Sequence, residues 1–506
     1  MSLRPSSTTS RNSGVRSVAL PPSPSSEFHN NSTNDVPEKG SEITNDKEVP
    51  VVTDYKPVEL SEDDGIAERM DHYGKAEGDV RAVPAVISPQ NDLEPPDGGL
   101  QAWLVVFGAM CSTFTTFGYV NAWGVFQEYY QRNILSHSSP SDIAWIGSIQ
   151  YALVFLPGLP VGRLFDLGYF RSVFIPASAL LILATFLIPE CKEYWQFLLC
   201  QGFATGLACG TFFGPVTAIL AMWFKKRRGF ALGLFATGSS IGGTVIPIVV
   251  RSLIPKVGFA WAVRIVGFIL FAGLTAANLT LKRRIPPVPS SEGVFNLRMF
   301  KQFRSPAFTV YCVSTFFVYL GFYTLLTYVS ATATSIGVSE SFSFYLVSIA
   351  NASGGLGRIG AGLFADKFGA MNVLIPFTAL TGVMTCVWPF TRSTSGLIAV
   401  TVIYGFSSGP YGSLVSVPVI ETGEPGDTNR DLGRRIGLLM TFLASGGLLG
   451  PPISGLIFRS RGIEAMGIYA GCMIILGVVI MCIPRFLVLS ARRKRGRMTG
   501  WILSKV

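Results

Sequence analysis

From Ala102 to about residue 490 the chain is a succession of long apolar runs separated by short polar or charged connections. Each run reaches the roughly 20 residues that a bilayer-crossing helix requires. The pattern predicts six spans over 102–128, 142–164, 171–188, 194–223, 229–251 and 259–281. A second set of six is expected over 306–330, 341–364, 370–391, 395–419, 432–457 and 464–490. Residues 1–96 are different: rich in Ser, Pro, Asp, Glu and Asn, they show no sustained apolar periodicity. Such a segment cannot bury enough surface to offset its ordering entropy, so it is predicted to be a disordered tail. It has no short apolar run followed by small residues of the kind that marks a secretory signal. The tail is therefore expected to stay in the cytoplasm, with the sequons at Asn30 and Asn31 unused.

Internal repetition groups the spans into two related halves. Gly162 to Asp166, between the second and third spans, is echoed 200 positions later by Gly362 to Asp366, between the eighth and ninth. At the fifth and eleventh spans an offset of 208 pairs Gly229 with Gly437, Gly238 with Gly446 and Gly242 with Gly450, and sets Lys226 and Arg227 against Arg434 and Arg435. The predicted architecture is an all-α membrane protein of twelve helices: an N-terminal half over 97–281, a cytoplasmic linker over 282–305, a C-terminal half over 306–490 and a basic tail over 491–506. A body of two repeated halves places a solute at the midplane between them.

Composition narrows the class. The 506 residues are 49% hydrophobic and only 14% charged, with a mean hydropathy of +0.43, which excludes an ordinary soluble enzyme. Residues 1–96 hold 9 Lys+Arg against 17 Asp+Glu, a net −8 that leaves +18 on the rest of the chain. Those cations stand in short clusters between apolar runs, the pattern of loops facing anionic lipid rather than of a nucleic-acid surface. Lys225 to Arg228, Lys282 to Arg284 with Arg298, Lys301 and Arg304, and Arg492 to Arg495 with Arg497 all fall on one side of a twelve-helix body. The opposite side carries the sparser Arg132, Lys192, Lys256, Arg392, Arg459 and Arg461. The positive-inside bias puts both termini in the cytoplasm, and an even number of helices agrees. The plasma membrane is the default address, since no other is legible.

Seven of the eight cysteines lie inside apolar runs and the three histidines, His29, His72 and His137, all lie outside them, so neither a disulfide framework nor a metal site is expected. No cofactor is expected either. Gly355-Leu-Gly357-Arg-Ile-Gly360 fits a dinucleotide pattern and Gly238-Ser-Ser240-Ile-Gly242 a serine-hydrolase elbow. Both sit inside predicted membrane helices rather than at strand-turn-helix junctions, and no histidine is at hand to activate Ser240, so catalysis is excluded.

Gly362-Leu-Phe-Ala-Asp366-Lys367-Phe-Gly369 resembles the loop signature of the major facilitator superfamily, with Gly162-Arg-Leu-Phe-Asp166 as a degenerate copy. Asp97-Gly98-Gly99-Leu100-Gln101-Ala102-Trp103 and Trp223-Phe-Lys-Lys226-Arg227-Arg228-Gly-Phe-Ala231-Leu-Gly233 are similar to two stretches of its monocarboxylate porter family, in the fungal branch. The likeness spans residues 95 to about 490. It implies the major-facilitator fold and alternating access. It also implies a gate in which Asp166 and Asp366 face helix N-termini and basic partners, with Lys226, Arg227, Arg228 and Lys367 as candidates.

Arg358 is the charge that stands out, because a cation well inside the eighth span is costly unless it faces water, an anion or a partner. Asn351, Gly354 and Arg358 share one helix face. The resemblance makes Arg358 the substrate-carboxylate arginine, while Gly354 and Asn121 stand where proton-linked members carry an acid and a lysine, and Phe117 where tyrosine is frequent. Tyr404 and Ser408, on one face of the tenth span, are further lining candidates. Arg251 and Arg264 are expected to snorkel. The sequence thus leads to a secondary transporter of a small organic solute, a monocarboxylate or related anion. A proton-coupled efflux antiporter and a non-transporting nutrient sensor of the same fold stand as alternatives.

Overall fold

The computed structural model describes residues 95–286, 302–421 and 432–494; the tail up to residue 94, most of the expected linker and the stretch from 495 lie outside the described residues. No β-strand occurs among them. In chain order the helices are α1 (Leu100–Ile134), α2 (Asp142–Asp166), α3 (Phe170–Glu190) and α4 (Tyr194–Trp223). The continuous stretch Arg228–Thr280 is divided by Gly258, at φ +78°, into α5 (228–257) and α6 (259–280). The second half has α7 (Pro306–Ser335), α8 (Glu340–Phe368), α9 (Ala370–Phe390) and α10 (Thr394–Leu414, continued by Val417–Glu421). Leu432–Lys494 is divided by Gly462, at φ +85°, into α11 (432–461) and α12 (463–494).

The two glycines are reversals, which follows from what each arm touches. Gly238 and Gly242 of α5 lie against the carbonyls of Met110 and Phe114, so α5 climbs alongside α1 in the same direction. Gly108 meets Thr280, and Gly273 meets Thr115, so α6 runs against α1. The second half repeats this: Gly446 and Gly450 of α11 follow the Phe316 and Leu320 carbonyls of α7, whereas Gly477 and Ala470 of α12 meet Ser314 and Gly321 in the opposite order. Close approach requires glycine at these crossings, since an added Cβ would lie 2.0 Å from the Met110 carbonyl oxygen at Gly238 and 2.5 Å from that of Phe114 at Gly242.

Among the described residues these make twelve helices in two six-helix halves. Their polarity is that of a lipid-embedded body: Ser112, Thr115, Thr205, Thr217, Ser314 and Thr381 are buried, while Leu183, Phe271, Leu356 and Val479 face outward. Buried hydroxyls turn back onto their own helices, as Thr115 does to the Cys111 carbonyl at 3.0 Å and Thr185 to that of Leu181 at 2.8 Å. Arg264 reaches Glu190 at 2.7 Å instead of only snorkelling, and Arg251 lies over the Phe344 ring at 4.5 Å with Nη1 buried.

The halves meet along two antiparallel seams. In the α5–α8 seam Gly229 faces Gly362, Gly233 faces the Arg358 carbonyl, Gly243 faces Asn351, and Thr244 donates to the Ser348 carbonyl at 3.3 Å. In the α2–α11 seam Gly158 faces Gly437 and Gly162 faces Gly433. This packing revises part of the offset read from the sequence. At this junction Gly229 and Gly433 occupy equivalent places, as do Gly233 and Gly437, an offset of 204, whereas Gly238 with Gly446 and Gly242 with Gly450 keep the offset of 208 against α1 and α7. Arg434 and Arg435 are consequently not the counterparts of Lys226 and Arg227: both are buried inside the seam, whereas Lys226 and Arg227 are exposed. A glycine repeat along one helix face matches itself at a shift of one turn almost as well as in register, and only the partner helix resolves the ambiguity.

Candidate functional site

At one end of the body each half caps a helix of the other. The Asp366 carboxylate, at the end of α8, accepts from the backbone N–H of Gly229 at 2.6 Å and of Phe230 at 2.9 Å, in the first turn of α5. Asp166, at the end of α2, accepts from Gly433 at 3.0 Å and Arg434 at 2.9 Å, in the first turn of α11. First-turn N–H groups have no acceptor within their own helix, and the N-cap residue Arg227 supplies no side-chain cap, so the carboxylate of the opposite half fills that role and meets the positive end of the helix dipole. Lys226, Arg227 and Lys367 are exposed, the last lying 5.3 Å from the Phe368 ring. Arg228 is half-buried and its Nε donates to the Phe224 carbonyl at 3.2 Å. Arg283, just beyond α6, donates from Nε to the Ile285 carbonyl at 2.7 Å and from Nη1 to that of Phe165. Burial holds its guanidinium below the ordinary value, an effect that Asp166 opposes.

The two motifs that opened the resemblance pack on one another here. Asp97, at φ +55°, accepts through Oδ1 from the N–H of Lys225 and Lys226 at 2.6 Å and of Arg227 at 3.3 Å, and its own N–H donates to the Trp223 carbonyl. Trp103 lies against Phe224 and Phe230, with ring centroids 5.2 and 5.9 Å apart, and the Trp223 indole donates to the Lys282 carbonyl. The entry to α1 thereby clamps the turn that presents the first N–H groups of α5. Sequence reasoning placed both motifs without connecting them, because the residues lie more than a hundred positions apart.

Toward the middle of the body lies a cavity of about 80 Å³ open to the centres of water-sized molecules, with walls from both halves. Phe117, Asn121, Asn351, Gly354, Arg358 and Ser408, all expected from the sequence, line it. Regular helix breaks at this depth: Thr116 has φ −99° and ψ −81° in α1, and Tyr323 interrupts α7. Irregular backbone within a membrane-spanning helix is tolerated where it faces a cavity. Tyr404 is not on the wall: it is fully buried and its hydroxyl donates to the Phe322 carbonyl across α7 and α10. It shares the helix with Ser408 but not the exposed face. Residues not anticipated are Tyr319, Phe322 and Tyr323, which build an aromatic wall, with Tyr319 stacked on Phe322 at 5.4 Å and edge-on to Phe155 of the other half at 5.6 Å.

Arg358 dominates the cavity electrostatically. Its Nη1 donates to the Ala236 carbonyl at 2.8 Å and to the Ser239 and Ser240 hydroxyls at 2.6 Å each, all on α5 of the opposite half. Nε is buried without a hydrogen-bond partner, and no ion pair to Arg358 occurs among the described residues. Gly412 lies beside the Nε/Nη2 edge, where a Cβ would stand in ordinary contact, 3.6 Å from Nη2 and 3.7 Å from Nε. One edge of the guanidinium is thus tied to α5, and Nε on the other edge has no hydrogen-bond partner. Among carboxylates near the helix ends, Glu128 pairs with Arg132 at 3.2 Å, and the Asp142 carboxylate accepts from the hydroxyl of the N-cap residue Ser139 at 2.8 Å. The Glu421 side chain lies outside the described residues.

Two helical halves latched at one end around a central polar and aromatic cavity define a membrane carrier. Residues 103–422 match the family model described as the Major Facilitator Superfamily, and the chain belongs to that family. Among similar proteins, "MFS transporter asaE" of Aspergillus flavus is 34% identical over 77% of this chain and 88% of its own length. "Aspyridones efflux protein apdF" of Emericella nidulans is 36% identical over 72% and 74%, and "Fujikurins efflux protein" of Gibberella fujikuroi 35% identical over 79% and 86%. In fold the chain is similar to the human organic anion transporter TETRAN, with a TM-score of 0.61 at 14% identity over 78% of this chain and 99% of that one. The Escherichia coli fucose:proton symporter FucP gives 0.58 at 16% identity over 75% and 98%. Members of the family are transporters and generally not enzymes.

Proposed function

We propose that this transporter exports a small organic acid, holding its carboxylate on the Nε/Nη2 edge of Arg358 while the aromatic wall packs the carbon skeleton. The observation that carries this reading is a half-buried guanidinium on the cavity wall, its Nε buried without a hydrogen-bond partner, with no carboxylate partner among the described residues. Such a cation gains several kcal/mol from an anionic ligand that its surroundings do not otherwise supply. Export follows from relatives whose names describe efflux, and organic-anion chemistry from Arg358 and from the motifs similar to monocarboxylate porters. The halves 97–281 and 306–490 rock about the cavity, with 282–305 joining them. The basic clusters at 225–228 and 282–284 support a latched end on the cytoplasmic side, and in this reading export crosses the plasma membrane.

The test is efflux from inside-loaded proteoliposomes across a panel of aliphatic and aromatic carboxylates and their uncharged amides. Carboxylates are expected to exit and amides not. Arg358→Lys should cut efflux at least tenfold although the charge is kept, because an ammonium cannot reproduce the planar fork. Equal transport of acids and amides, or normal kinetics in Arg358→Lys, overturns the proposal.

A further inference from the structure

The α5–α8 seam carries both the latch and the cavity arginine. From the latched end inward, Gly229 and Phe230 meet Asp366, Gly233 meets the Arg358 carbonyl, and Ala236, Ser239 and Ser240 accept from Arg358 Nη1. Asp366 lies eight residues beyond Arg358 on α8, about 12 Å along the helix axis. The latch contacts and the guanidinium contacts are therefore made between the same two helices, α5 and α8. The acceptors are neutral and belong to the half opposite Arg358. They satisfy one edge of the cation with no anion present.

We propose that Ser239 and Ser240, together with the Ala236 carbonyl, are positioning residues that stand in for cargo on Arg358 in the empty carrier, so that the latch-closed state forms without a bound anion. A carrier whose binding cation is bare when empty cannot close, because desolvating an unpartnered guanidinium opposes it. Such a carrier cycles only when loaded in both directions and performs exchange. With the serine acceptors the empty carrier crosses as well, and net transport becomes possible. This rests on the reading of Arg358 as the anion site.

The experiment compares wild type, Ser239→Ala/Ser240→Ala and Ser239→Thr/Ser240→Thr, purified in nanodiscs and in proteoliposomes. Amide exchange of the empty protein is read in the peptides that contain Gly229–Phe230 and Gly433–Arg434. The alanine pair is expected to raise exchange at least tenfold at both latches, benzoate to restore protection, and the threonine pair, which keeps the hydroxyls, to behave as wild type. In liposomes, net exit of labelled benzoate into benzoate-free medium should fall at least tenfold more than benzoate–benzoate exchange does in the alanine pair. Unchanged protection at the latches, a change confined to the 236–245 segment, an equal fall of both flux modes, or a threonine pair that resembles the alanine pair overturns the proposal. The failure of the anion reading looks different: wild type then moves benzoate in neither mode and benzoate leaves the alanine pair unprotected, whatever that pair does when empty.

Discussion

Replacing Asp366 with asparagine isolates what one carboxylate contributes to the closed state. In the closed form Asp366 accepts two N–H bonds, at 2.6 and 2.9 Å, from a helix end that offers no other acceptor to those groups. Hydrogen bonds to an ionised acceptor contribute about 1.5–3 kcal/mol each. Asparagine keeps one carbonyl oxygen, turns the other bond into a contact between two donors, and gives up a helix-dipole interaction of about 0.3–1 kcal/mol. Because Asp366 is half exposed, solvent recovers part of the loss. A net weakening of about 2 kcal/mol remains, which opens the α5–α8 latch about 30-fold more often. Asp166 is only 8% exposed, so Asp166→Asn should cost about 3 kcal/mol, or about 100-fold, at the α2–α11 latch. Amide hydrogen exchange reads this directly, since protection of Gly229, Phe230, Gly433 and Arg434 depends on the carboxylate of the other half. Unchanged protection in either variant, or a larger effect from Asp366→Asn than from Asp166→Asn, would refute capping in trans.

Gly162→Val should exclude the closed state and abolish transport with membrane insertion intact, because its Cβ would fall 2.1 Å from the Gly433 carbonyl oxygen; Gly360→Ala, with nothing within 4 Å, is the silent control, and both are checked by efflux alongside surface expression. Tyr404→Phe removes a hydrogen bond behind the cavity wall, so it should lower stability by about 1 kcal/mol in thermal unfolding while KM for the exported acid stays within twofold. No carboxylate or imidazole lines the cavity among the described residues, and a guanidinium stays protonated. An imposed proton gradient at zero membrane potential should therefore drive no uphill accumulation in vesicles; accumulation that survives Glu421→Gln would show that a different group couples.

Much of this protein is written in one dimension. Span number follows from the length of the apolar runs, because a bilayer core admits only fully hydrogen-bonded helices of sufficient length, and the two halves follow from the repeated motifs. Arg358 was legible as a lone charge in an apolar run, and Asp166 and Asp366 as a repeated acidic turn. Where the signal was periodic but not unique, tertiary structure decided. The glycine faces of α5 and α11 match at an offset of 208 against α1 and α7 but at 204 against α8 and α2, and only the helices packed on them show which contacts follow which offset. Tyr404 and Ser408 share a helix, but which of them meets the cavity depends on how α10 is rotated against α7, a property of packing between helices. The bonds that join the halves, Asp366 to the α5 N-terminus and Arg358 to Ser239 and Ser240, link positions more than a hundred residues apart through groups that carry no pattern of their own. Backbone N–H groups and single hydroxyls are present in every helix, and they acquire a function only when folding brings a charge to them.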